Sequence, residues 1–219
     1  MLRAVFEKQG NAIWISHLDL TRLFQRAFKR AGLHLKHTQG FNPRPSVSIA
    51  LPLSVGVESG CELLDFELEG EYPGSEAVRD RLNRALVPGV RVLDVYEAGR
   101  KIKELALLRC RVKLEYDSGV PEGHTDRIRR VFASESLLVE KKSKNGPVQQ
   151  DLIPMIKRMD VFSRDGKTVC LEAVVCCQNP SLNPMQLSAA VIRHLPELTP
   201  DHVLCKRLEI YDTQNNVFR

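Results

Sequence analysis

Ser16, His17 and Asp19 sit together at the start of one apolar-periodic stretch, and His37, Gln39, Phe41, Asn42 and Arg44 follow in a run stiffened by Pro43 and Pro45. These residue types in this order allow three kinds of chemistry. A helix N-terminus offers free backbone N–H groups and a partial positive charge, which suits a phosphate or carboxylate. Arg22, Arg26 and Arg44 would add guanidinium contacts, and Phe41 a flat surface for a base. Ser16, His17, Asp19 and His37 also contain the types needed for nucleophilic or acid–base catalysis. His17, His34 and His37 are the residues a zinc site would draw on.

Spacing separates the three. Adjacent Ser16 and His17 at a helix start point in different directions, and no strained elbow motif surrounds the serine. No H-x3-H or H-E-x-x-H pattern supports a metal. Binding is therefore the leading reading, with Ser16, His17, Asp19, Arg22, Arg26, His37, Gln39, Phe41, Asn42 and Arg44 as the site. Metal-free catalysis through His17 and His37 is the alternative. The same residues also have a bland account, in which Ser16 and Asp19 cap, His17 packs and Gly40–Pro43 is an anchored turn.

Charge favours a polyanion. The net charge is only +5, but residues 1–50 hold eight basic and two acidic side chains, whereas residues 51–100 hold five and ten. A basic N-terminal segment on a mildly charged chain is a local electrostatic footprint, not a histone-like composition. Three further basic groups are weaker cues: Arg109, Arg111 and Lys113 on one strand face, Arg127, Arg129 and Arg130 in one helix, and Lys141, Lys142 and Lys144 near a turn. The six cysteines form no C-x-x-C pair, and Cys110, Cys170 and Cys205 lie in apolar alternating segments, where a thiol acts as a small hydrophobe. No C-x3-C-x2-C cluster is present, so no iron–sulfur cluster of the usual radical SAM type is expected, nor any other cofactor.

The elements that must position these residues follow from periodicity. With 43% hydrophobic and 27% charged residues, a soluble globular chain with a substantial core is expected. No run approaches the ~20 apolar residues of a spanning helix, and the first residues lack a signal-peptide core, so a cytoplasmic chain is expected. Leu2–Lys8 reads as a strand and Ala12–Ile15 as a second short one. Ser16 caps a helix over 17–31, in which Leu20, Leu23, Phe24, Ala27 and Phe28 face inward. Val47–Val57 and Leu64–Glu69 read as strands, the latter with one wet acidic face. Ser75–Val87 is a helix and Val90–Tyr96 a strand.

The second half gives a strand over 108–116, a helix over 122–133, a strand over 136–142 and a turn around Lys144–Pro147. Asp151–Phe162 is undecided between short helix and strand. A strand at Thr168–Cys177, a helix from Asn183 to Leu195 and a strand at Val203–Tyr211 complete it. The expectation is an α+β protein of two tandem ferredoxin-like (βαββαβ) units with antiparallel sheets, over residues 1–98 and 106–219.

The run Ile15-Ser16-His17-Leu18-Asp19-Leu20, then Arg22, Arg26-Ala27 and Arg30-Ala31-Gly32-Leu33, followed by Thr38-Gln39-Gly40-Phe41-Asn42-Pro43-Arg44-Pro45, resembles the radical SAM-linked protein family, a domain of unknown function. Leu51–Ser59 is similar to its next block, and Asp151-Leu152-Ile153-Pro154 to a later one. The resemblance is tight over residues 2–70. Members occur alone or fused behind cobalamin-binding-type radical SAM proteins, which implies a radical SAM enzyme as partner and an RNA-processing context. Joined to the charge argument, this gives a non-catalytic module that presents RNA or another anionic substrate to that enzyme; a pure protein–protein adaptor is a third reading.

Overall fold

A computed structural model describes every residue of the chain except Pro121, Lys144 and Asn145. The turn expected around Lys144–Pro147 begins on residues outside that set. The chain divides into two compact units, Met1–Glu104 (with Arg219) and Leu105–Phe218. It is an α+β protein with antiparallel strand pairing in both units.

The first unit runs β1 (Leu2–Lys8), α1 (His17–Arg30), β2 (Val47–Ile49), β3 (Val57–Phe66), α2 (Ser75–Ala85) and β4 (Val90–Glu97). β1 lies between β4 and β3, and β2 joins the far side of β3. Helix α1 buries Leu20, Phe24, Ala27 and Phe28. The Phe24 ring meets Phe6 of β1 edge-on with centroids 4.7 Å apart, and Phe28 lies 4.8 Å from Phe66 of β3. Leu23, expected inward, is only half-buried: at 100° per residue it falls on the flank of the stripe that Phe24 and Phe28 centre. Helix α2 buries Val78 and Leu82, and the Asn83 amide both donates to and accepts from the Val92 backbone, at 2.9 and 2.8 Å.

Three expectations for this unit are corrected. Ala12–Ile15 is not a strand; Gly10–Trp14 forms a 3-10 turn, closed by Ala12 N–H to Gln9 O and Ile15 N–H to Ala12 O. The apolar run from Val47 pairs only through Ile49, then leaves the sheet and buries Leu51 and Leu53 from a loop. Pro52 has no N–H to give a ladder, and Gly56 turns the chain with φ +78°. β3 therefore begins at Val57 and ends at Phe66; of the expected acidic face Glu69 is exposed and Glu67 partly so, and only Asp65 is withdrawn from solvent. Asp65 accepts two hydrogen bonds, at 2.6 and 3.0 Å, from Arg3, which is itself 1% exposed.

The second unit runs β5 (Leu105–Glu115), α3 (His124–Phe132), β6 (Leu138–Ser143), β7 (Gly146–Asp151), β8 (Ile156–Asp165), β9 (Thr168–Cys176), α4 (Met185–His194) and β10 (His202–Asp212). Its sheet order is β10-β5-β9-β8. The residues expected to supply the second sheet strand, 136–142, instead form one arm of a separate β6–β7 hairpin. The undecided segment resolves into a 3-10 turn at Ile153–Met155 and then β8. Asp151 closes the hairpin by accepting from Leu137 N–H at 2.9 Å and Ile153 N–H at 3.1 Å. With the hairpin set aside, both units share the order β-α-β-β-α-β, and in both the first strand lies between the fourth and the third.

Arg109 and Arg111 do not stand on an edge strand, because β5 pairs on both sides. Both hydrogen-bond to Glu172 of β9, Arg111 at 3.0 and 2.6 Å. Two of the three α3 arginines are also engaged: Arg127 pairs with Glu197, and Arg129 donates to Val161 O at 2.9 and 2.7 Å. Cys110 and Cys205 are free and buried, and burial pushes the Cys205 thiol up to about 12.

Two outcomes test this packing. Phe24→Ala is expected to lower unfolding free energy by ~3–5 kcal/mol in denaturant titration, and Leu23→Ala by less than half as much. Burial pushes the Glu172 carboxyl up, but hydrogen bonds from Arg111 and Arg109 outweigh it, so its folded pKa lies below the ordinary value. Its stabilisation is thus present above the unfolded pKa of about 4.3 and lost as pH falls through the folded one. Glu172→Gln should cost about 1 kcal/mol at pH 7, discounted because both arginines are partly exposed, and the difference from wild type should close as pH falls below the unfolded pKa and through the folded one.

Candidate functional site

The start of α1 is set from below by Lys8. This residue ends β1 with its side chain fully buried, and its Nζ donates to Ile13 O and Ile15 O, both at 3.1 Å, and to Ser54 O at 3.4 Å. Three carbonyls match the three donors of a lysine ammonium. Gly56 N–H adds a bond to Ile13 O at 2.9 Å. The 3-10 turn before α1 and the loop before β3 are thereby held to one buried group, and the helix start is fixed relative to the sheet.

On that base the helix caps itself. Ser16 Oγ accepts from Asp19 N–H at 3.2 Å and donates to Asp19 Oδ2 at 2.7 Å. Asp19 Oδ1 accepts from Arg22 at 3.0 Å, with both side chains well exposed. The Ser16 hydroxyl, followed by Arg22, holds the Asp19 carboxyl below its ordinary pKa. Arg26 and Lys29 continue along the exposed face, and Arg30 donates to Ala85 O at 2.6 Å. His17 is half-buried, and its Nδ1 is buried without a hydrogen-bond partner among the described residues.

Residues 36–46 form a narrow ribbon. Its root is Lys36 N–H to Glu67 O at 2.9 Å and Ser46 N–H to Lys36 O at 2.7 Å. His37 bridges Pro45, Thr38 N–H donates to Arg44 O at 2.8 Å, and Thr38 Oγ1 accepts from Arg44 N–H at 3.0 Å. Gln39, Phe41, Asn42 and Arg44 are exposed, Phe41 fully so. The structure thus joins Ser16, Asp19 and Arg22 by hydrogen bonds, and separately joins His37 and Arg44 through the ribbon backbone. Among the described residues no hydrogen bond or ion pair links the two groups or joins His17 to His37.

A family model, DUF2344, described as an uncharacterized protein conserved in bacteria, matches residues 1–184. The chain belongs to the DUF2344 family. Both the capped helix start and the ribbon fall inside the matched region. No curated protein matches the DUF2344 chain. Its fold is similar to a chain in the crystal structure of a Cbf5–Nop10–Gar1 complex, with TM-score 0.52 and 12% identity over 94% of this chain and 48% of that one. A chain of an archaeal box H/ACA sRNP Nop10–Cbf5 complex is a more distant likeness, with TM-score 0.44 and 11% identity over 93% and 46%. The DUF2344 chain spans about half the length of these neighbours.

Among the described residues no three His, Cys, Asp or Glu side chains group to hold a metal, and no helix is long and apolar enough to cross a membrane. Sequence reasoning missed Lys8, Trp14 and Gly56. Lys8 occupies the last position of an alternating strand, where a charge reads as the end of the element. Trp14 lay inside the segment read as a strand. The signal that was available is the odd composition of that segment: Trp14 is the only tryptophan of the chain, and it stands two residues before a helix cap.

Lys8→Met keeps the volume of the side chain and removes its donors. It is expected to cost at least about 2 kcal/mol, because the carbonyls it serves lose their partner inside the protein. Denaturant unfolding checks this, and amide exchange should show the loss concentrated in residues 9–16 and 51–56.

Proposed function

We propose that the DUF2344 chain is a non-catalytic module that binds RNA through the start and outer face of α1 together with the 36–46 ribbon, and presents it to a separate radical SAM enzyme. One observation carries the binding half: the exposed positions of α1 hold four cations, Arg22, Arg26, Lys29 and Arg30, against one carboxylate, Asp19. Asp19 is already engaged by Ser16 and Arg22, so the face keeps a positive surplus beside a helix N-terminus. Exposed Phe41 on the ribbon, with Arg44 three residues on, supplies the aromatic and guanidinium partners that unpaired nucleotides take. The radical SAM half rests on the resemblance of Ile15–Leu20 and Thr38–Pro45 to the radical SAM-linked family. Both units are read as ferredoxin-like, on their shared β-α-β-β-α-β order and the central place of the first strand. The fold likeness to a Cbf5-containing complex is compatible with this reading and carries none of its weight.

Labelled structured RNA titrated with the purified chain at two salt concentrations tests the proposal. Binding at ~50 mM salt that weakens by at least tenfold at ~200 mM is expected, since phosphate contacts release counterions. Arg22→Ala combined with Arg26→Ala should weaken it further, with the melting temperature within a few degrees of wild type, because exposed arginines add little to folding. Absence of binding at low salt sinks the RNA reading. For the second half, affinity capture from native cells is expected to recover an iron–sulfur protein carrying C-x3-C-x2-C; its absence removes the radical SAM partner.

A further inference from the structure

Trp14 is 67% exposed. A tryptophan is among the side chains that gain most from burial, so an outward one in a well-packed unit asks for a reason. Flexibility is not that reason, because the backbone around it is tethered on both sides. Lys8 Nζ holds the carbonyls of Ile13 and Ile15, the residues on either side, and Gly56 N–H holds Ile13 O a second time. Gly56 also passes beneath the ring: a Cβ placed there would lie 3.7 Å from Trp14 Cζ3. A buried lysine and a glycine at φ +78° thus both hold the backbone that carries this outward side chain.

Exposed apolar and cationic side chains stand on α1, which begins three residues after Trp14, and an exposed apolar one stands beside Gly56. Leu18, in the first turn of α1, is 68% exposed, and Val55, next to Gly56, is 52% exposed. Arg22 and Arg26 follow Leu18 one and two turns along the same helix, about 6 and 12 Å further on. An aromatic platform leading into a row of guanidiniums is the arrangement that single-stranded nucleic acid takes, with bases stacking on the ring and phosphates tracking the cations. A protein partner would also accept Trp14, Leu18 and Val55, but the cationic row is what decides between them.

We infer that Trp14 is a stacking platform for an unpaired base, and that the ligand of the α1 face is single-stranded RNA rather than duplex. This rests on the RNA reading above and adds to it a residue and a strandedness. It requires no movement of the backbone, since the residues on either side of Trp14 are already tethered in the free protein.

The sole tryptophan supplies its own reporter. The full chain is titrated with an oligoadenylate of about 12 nucleotides and with a duplex of the same length, following tryptophan emission and, in parallel, anisotropy of a labelled copy. The single strand is expected to quench Trp14 saturably, in step with anisotropy, and the duplex to leave emission unchanged. Trp14→Leu should weaken single-strand binding ~5- to 100-fold and Trp14→Phe by less, both melting within a few degrees of wild type. Arg22→Ala should weaken binding while leaving the quench at saturation intact. Salt-sensitive binding that Arg22→Ala weakens, with constant Trp14 emission and wild-type affinity in Trp14→Leu, overturns the platform and leaves the RNA reading standing. Equal quenching by duplex overturns the strandedness. Self-association of the wild type that Trp14→Leu abolishes assigns the patch to a second copy instead. No binding of either probe at low salt removes both readings together.

Discussion

The placement of the candidate site depends on where one buried lysine sends its three donors. Lys8 lies at the end of a strand with no access to water, and a charge in that position is tolerated only where every donor finds an acceptor. The acceptors come from the turn before α1 and the loop before β3, two segments that regular secondary structure leaves with free carbonyls. The lysine and the loops thus satisfy one another. Neither could take this conformation with the other removed, and the helix start, its cap and the outward tryptophan inherit their positions from that exchange.

A comparable economy appears at Arg3, whose guanidinium lies buried against Asp65 across the β1–β3 ladder. In the second unit Glu172 is shared by Arg109 and Arg111 on the neighbouring strand. Each is a charge held by a rigid, multiply bonded partner on an adjacent strand, so the side chains are fixed along with the sheet. The contrast with α1 is informative. Arg22, Arg26 and Lys29 stand on an exposed helix face, with one weakly competing carboxylate. Basic residues that the fold has already engaged are poor candidates for a ligand, and those left outward are better ones.

Two units with the same strand arrangement and different decoration are consistent with a division of labour. The capped helix start and the ribbon are built into the first, while the second adds the β6–β7 hairpin between its first helix and second sheet strand. The family match covers all of the first unit and most of the second, so the two are parts of one recurring design.

The helices were legible locally: α1 and α2 carry apolar residues at helical spacing, Ser16 marks the start of α1, and Asn183-Pro184 marks the start of α4. The strands β1, β4, β5, β9 and β10 were equally legible, β5 by its alternation and the others by short apolar runs. The dense polar run from Ser16 to Arg44 also announced itself, since a helix cap and a proline-stiffened loop are local features. What the sequence could not settle depended on partners distant along the chain. Ala12–Ile15 has the composition of a strand, but its carbonyls are taken by Lys8 and Gly56, so it turns instead. In Leu64–Glu69 the outward face keeps Glu67 and Glu69 at the surface, but Asp65 is withdrawn under Arg3. Residues 136–142 could pair with the sheet or with their own hairpin neighbour, and only the closing bonds of Asp151 decide for the second. Local sequence fixes which residues want burial or a cap; which polar group meets which, across 46 residues from Lys8 to Ser54 or 62 from Arg3 to Asp65, is decided by the packed chain.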